Sequence, residues 1–312
     1  MKALGLTFVL AALLVGFAGP VGPGSTQAIA ATYYFTGESN NEWTNPSNWR
    51  DACDGASAGV PSASDDAVIC ANAVAHVTTT TAVARTVTVQ SGARVDIRPG
   101  SSDASLTLGS GSDPLTSTLT GTGRVELLTP TTSGIAVLAF TSASNHTLDG
   151  GGSVRGKDNN AEIRIATSKT LTNSAMIEGK LKITHATSWQ GTFANEADVG
   201  ASESGTLLVQ PYILDDTSAA AWGVIANNSV LRFGSGINSI ADGTLAGDFE
   251  IGSFANAEID NDFPDLESTG RLSMSNGILT VSENLTLGSN NNNMSADGGR
   301  IDVAAGKTFT HN

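Results

Sequence analysis

The residues of this chain best suited to chemistry are its acids. Asp149, Asp158 with Glu162 and Arg164, the pair Asp215-Asp216, and Asp260-Asn-Asp262 with Asp265 fall in small groups between apolar runs. Two carboxylates flanking a glycosidic bond serve as general acid and base, and a carboxylate set holding calcium beside a Lys or Arg base would suit a polysaccharide lyase. A catalytic set on repeated coils needs acids at matching positions of successive coils, and no three of these acids recur that way. Nucleophilic hydrolysis has less support. There is no G-x-S-x-G, and His76, His146, His185 and His311 have no motif partner. Asp260-Asn-Asp-Phe-Pro-Asp265 offers oxygens to a calcium ion but lacks the glycine and spacing of an EF-hand loop, so it reads as a turn. No catalytic residue, metal ligand or cofactor site is assigned, and no cofactor is expected.

Cys53 and Cys70 are the only cysteines. Two thiols cannot complete a tetrahedral metal shell, His76 is the one imidazole nearby, and C-x-x-C is absent. In an exported chain they read as a structural disulfide. Tyr33, Tyr34, Trp43 and Trp49 share the same segment, and flat rings can stack on sugars; sealing a core is the simpler use of so many large aromatics in one place.

Those residues have to be positioned by strands. Gly123-Arg-Val-Glu-Leu, Gly179-Lys-Leu-Lys-Ile, Gly270-Arg-Leu-Ser-Met and Gly299-Arg-Ile-Asp-Val share one order: glycine, cation, apolar, polar, apolar. Gly205-Thr-Leu-Leu-Val and Ser229-Val-Leu-Arg-Phe are looser copies. Each is a short strand with alternate side chains on opposite faces, opened by a turn residue. Further strand-like runs include Arg85–Gln90, Ala93–Ile97, Ser105–Leu108, Ile135–Phe140, Glu162–Ile165 and Ile278–Val281, separated by polar turns such as Asp149-Gly-Gly-Gly and Lys157-Asp-Asn-Asn. The copies recur at roughly 20–30 residues, the length of one solenoid coil. The expected fold is all-β: a right-handed parallel β-helix over residues 77–312, closed at its front by an aromatic, disulfide-bonded cap over 31–76. Tandem antiparallel β-sandwiches are the alternative. Leu181 and Ile301 are expected to point inward, and Asn290–Asn293 suits an asparagine ladder or a loop.

Met1-Lys2, an apolar run from Ala3 to Ala18, Pro20, Pro23 and Ala28-Ile-Ala30 read as a secretory signal peptide over residues 1–30, cut before Ala31. The expected address is secreted, extracellular or cell-surface, with no direct membrane insertion after cleavage. The chain carries a net charge of −14, which becomes −15 once Lys2 leaves with the leader. Such a surface repels phosphate backbones and anionic bilayers, so nucleic acid is excluded as a partner class. Glycans or other surface proteins are the partners left.

Trp43-Thr-Asn-Pro-Ser-Asn-Trp49, then Val60-Pro61, Asp65-Asp-Ala-Val-Ile69 and Thr86-Val-Thr-Val-Gln-Ser-Gly-Ala-Arg-Val-Asp-Ile97 follow one another in an order that resembles the opening of bacterial surface proteins built on parallel β-helices, including autotransporter-type passengers. The resemblance covers residues 32–97. It implies structural roles for Trp43 and Trp49 as rings capping the first coil, Pro61 as a turn, and Asp65 as a turn-fixing carboxylate. The expected role is a non-enzymatic structural or adhesive rod, part of a larger surface passenger. A secreted polysaccharide-active enzyme on the same fold is the alternative.

Overall fold

A computed structural model describes residues 30–311 apart from 110–113, 129–132, 142–143, 186–190, 203, 216–221, 225–228, 234–238, 241–243, 246–248, 252–255, 260–265, 269–271, 283 and 288–293. The leader expected over residues 1–30, the acids Asp216, Asp260, Asp262 and Asp265, and the run Asn290–Asn293 lie outside these residues, save for Ala30. Among the described residues every regular element is a strand except a short 3-10 turn at Pro46–Asn48.

The strands stack as a parallel β-solenoid with three faces. The first face runs through Thr32–Phe35, Asp66–Ile69, Thr86–Val89, Leu115–Leu119, His146–Asp149, Thr170–Asn173, Thr192–Asn195 and Ile213–Asp215. Val74–Val77, Arg94–Ile97, Arg124–Leu127 and the front halves of Ser153–Ile165 and Met176–His185 begin the second. Ala82–Ala84, Ala104–Leu108, Ala136–Phe140 and the back halves of those two long strands begin the third. Every pairing between coils is parallel; Thr32–Phe35 with Trp49–Arg50, inside the cap, is antiparallel. The parallel ladders exclude the tandem sandwich.

Alternation decides what lies inside. In Leu115–Leu119 the residues alternate buried and open, so Leu115, Ser117 and Leu119 point inward and Thr116 and Thr118 outward. Register then stacks like on like. Val95, Val125, Val154 and Ile177 form one inner column on successive rungs, all fully buried. Ala75 and Val95 stand 20 residues apart and Ile177 and Val199 22 apart, whereas Val95 and Val125 stand 30 apart, because the coil between Val95 and Val125 carries longer loops between faces. Where coils pass closely there is no room for a side chain: a β-carbon on Gly152 would strike the Gly123 carbonyl of the rung below.

The front end is closed as its composition requires. Phe35, Trp43 and Trp49 are buried, with Trp49 edge-on to both other rings at 5.1 and 4.8 Å. Trp49 Nε1 donates to the Trp43 carbonyl at 2.6 Å. Cys53 and Cys70 form a disulfide, Cα to Cα 5.9 Å. Asp65 accepts from Ser62 N–H and Ser62 Oγ and from Ala31 N–H, and Pro61 is buried just before it.

One expected turn is not a turn. Lys157-Asp-Asn-Asn lies within the continuous strand Ser153–Ile165, and the register to the next rung shifts between Lys157 and Glu162. The polar residues are absorbed as a bulge, with Asn159 and Asn160 exposed, so the strand crosses from the second face to the third without breaking.

Candidate functional site

The acids singled out by type are not brought together. Asp149 ends a first-face strand, exposed, and accepts from Gly150 N–H at 2.7 Å. Asp158 sits in the bulge and accepts from Asn160 N–H. Glu162 is on the third face, nearly buried, held by Arg164 at 2.7 Å and Lys182 at 3.7 Å. Asp215 is back on the first face.

The second face holds the stacked carboxylates that residue type alone did not reveal. His76, Asp96, Glu126, Arg155 and Glu178 occupy one outward column on successive rungs, and Glu42 of the cap bridges to His76 at its front. The column beside it carries Arg94 and Arg124, also in register. Asp96 is the hub: Arg94 Nε lies 2.5 Å away, Arg98 Nη2 3.2 Å, and His76 Nε2 3.8 Å. Glu126 meets Arg124 at 2.8 Å and Arg94 at 3.9 Å, and Glu178 meets Arg155 at 3.7 Å.

Asp96 is fully buried although it points outward, because the arginine stems lie over it. Burial raises its pKa above the usual carboxylate range, outweighing the opposing pull of Arg94 and Arg98; Glu126 adds to the rise. Burial also lowers the His76 pKa, with Arg98 adding to the drop and Asp96 and Glu42 opposing it. Stacked acids on neighbouring coils are what an acid–base enzyme needs, but here the acid with the raised pKa is sealed under guanidinium groups. The arrangement is a charge lattice that ties the rungs and the cap together. Among the described residues no group of three or more His, Cys, Asp or Glu is placed to hold a metal ion.

The first face is different. Thr116, Thr147 and Thr172 form one outward column on three rungs, Thr88 and Thr118 a second, Thr170 and Thr192 a third. Among the described residues the hydroxyls of Thr88, Thr116, Thr118, Thr147 and Thr172 make no hydrogen bond to the protein, whereas Thr86 is tied to Asp66 at 2.6 Å. Tyr34 and Val68 continue the Thr88–Thr118 column toward the cap. Rungs stand ~4.8 Å apart and alternate residues of one strand about 6.6 Å apart, so the hydroxyls form a regular grid.

Two polar features lie inside. Ser117 Oγ meets His146 Nε2 at 2.9 Å and takes the Val87 N–H at 3.0 Å. His146 packs against Phe140, and burial lowers its pKa to about 4. This serine–histidine pair is buried, out of reach of a substrate. Asn173 and Asn195, in register and buried, are joined Nδ2 to Oδ1 at 3.0 Å, an internal asparagine ladder. A notch of about 240 Å³ opens at the corner between the first and second faces, lined by Gly121, Thr122, Gly123, Arg124, Gly151, Gly152, Ser153 and Met176. Close coil packing accounts for Gly123 and Gly152 in its floor, where a β-carbon would strike the backbone of the neighbouring rung.

No family model, curated protein or solved structure matches this chain.

Proposed function

We propose that this protein is a non-enzymatic extracellular or cell-surface rod, structural and adhesive, forming part of a larger surface passenger and contacting glycans or other surface proteins along its side. The observation that carries the reading is the contrast between the two outer faces. The hydroxyl grid of the first face is unspent, while the stacked acids of the second are consumed by arginines on their own and neighbouring rungs. The Cys53–Cys70 disulfide suits an oxidising compartment. Protease treatment of intact cells tests the address. The reading expects the chain to be cleaved from outside with both cysteines oxidised, and a chain protected inside with free thiols would sink it.

Asp96 and Glu126 on adjacent rungs favour a second reading, a secreted polysaccharide-active lyase or hydrolase. Product release from plant, algal or bacterial polysaccharides that is lost in both Asp96→Asn and Glu126→Gln, with folding intact, would establish it.

A further inference from the structure

The hydroxyl grid of the first face points to a more definite partner. We infer that this face binds an uncharged, extended polysaccharide laid along the solenoid axis; the inference rests on the adhesive reading above. Threonine hydroxyls both donate and accept, so each can meet a sugar hydroxyl in either role. Those of Thr88, Thr116, Thr118, Thr147 and Thr172 are not used by the protein. Single hydroxyl contacts are weak in water, so such a face holds a ligand only by repetition. The partner must therefore repeat as well. Rungs at ~4.8 Å advance by close to one sugar unit of an extended chain, so successive sugars meet successive rungs.

Charge selects among repeating polymers. The threonine columns carry no cation from Thr88 to Thr118 or from Thr116 to Thr172, the exposed Asp149 follows Thr118 on the next rung, and the molecule around them bears a net charge of −14. The arginines at the cap end of this face, Arg50 and Arg85, are paired with Glu38 and Asp66, so a polyanion meets Asp149 and the net negative charge, whereas a neutral glycan is not repelled. Tyr34, half-buried at the cap end of the Thr88 column, offers a ring for a sugar face to stack on.

The experiment compares retention of the full chain on microcrystalline cellulose, chitin and immobilised neutral glucan and mannan, with alginate as the polyanion. One variant combines Thr116→Val, Thr147→Val and Thr172→Val, which keeps the β-branched shape and removes the hydroxyls. Thr107→Val makes the same change on the third face, where Thr107 also points outward. Melting by circular dichroism confirms that both fold. The inference expects retention on at least one neutral polymer, weakened at least tenfold in the triple variant and unchanged in Thr107→Val, with no retention on alginate. Equal binding by the triple variant overturns the assignment of this face yet leaves an adhesive rod. Preference for alginate overturns the charge argument. No retention on any neutral polymer overturns the inference, and failure of cells displaying the chain to adhere would remove the adhesive reading as well. Shaping of ice crystals by the wild type, lost in the triple variant and without glycan retention, would reassign the grid to ordered water and overturn it too.

Discussion

His146 shows how a single side chain couples this fold to pH. It points inward from a first-face strand, against Phe140 and Ser117, where a charge has no counter-ion. The folded protein keeps it neutral down to about pH 4, while the unfolded chain takes up a proton near its ordinary value of 6.5. A depressed histidine pKa means that the unfolded state binds the extra proton first. Stability is therefore complete above about pH 6.5 and declines as pH falls toward 4, by about 3 kcal/mol in all at 1.36 kcal/mol per unit. Urea unfolding across that range should show the decline. His146→Leu should flatten it, and an equal slope in the variant would show that other groups carry the acid sensitivity.

At the scale of the strand, position along the stack sets the cost of a substitution. Leu181 and Ile301 both belong to glycine–cation–apolar phrases and both read as inward from sequence. Leu181 is fully buried, with the Leu207 rung beside it, while Ile301 is only partly buried where Arg300–Val303 forms the last rung of its face among the described residues. A lysine at Leu181 must bring an unpaired ammonium into the core, and Leu181→Lys should abolish cooperative melting or cost more than about 4 kcal/mol. Ile301→Lys can reach water along its stem and should cost less than about 2 kcal/mol. Comparable losses in the two, read by thermal melting, would contradict this gradient. The asparagine ladder follows the same logic: Asn173 and Asn195 sit inside where register brings the Asn173 amide N–H to the Asn195 carbonyl oxygen on the adjacent rung.

Across the whole molecule, the front end is held by three independent devices: the ring cluster of Phe35, Trp43 and Trp49, the disulfide, and the polar column from Glu42 through His76 to Asp96. Backbone bonds reinforce the last, since Trp43 N–H donates to the His76 carbonyl and His76 N–H to that of Asn41. The disulfide spans a sequence separation of 17, for which loop closure predicts about 3 kcal/mol. Cys53→Ser should lower the melting temperature under oxidising conditions and make it insensitive to reductant, whereas the wild type should fall toward the variant when reduced. Identical melting of the two in oxidising buffer would show that the rings and the Glu42–His76–Asp96 column alone seal the cap.

The local pattern of residues was enough to identify strands, their short length and the inward positions of the second and third faces. Runs such as Arg124–Leu127 and Arg300–Val303 alternate apolar and polar side chains cleanly, and they match the observed strands end to end. The cap was legible because large aromatics and both cysteines concentrate there. The first face was legible only at its start, where the run Arg85–Gln90 contains the strand Thr86–Val89. Ser117, His146, Asn173 and Asn195 occupy inward positions, so strands such as Leu115–Leu119, His146–Asp149 and Thr192–Asn195 lose the apolar alternation that marks a strand. Register supplies those polar groups with partners from neighbouring rungs, 22 to 30 residues away in sequence. The threonine columns and the Asp96–Glu126 stack arise in the same way. A sequence lists which side chains face outward, but stacking depends on coil lengths that vary from 19 to 32 residues, and that alignment is decided only when the coils pack.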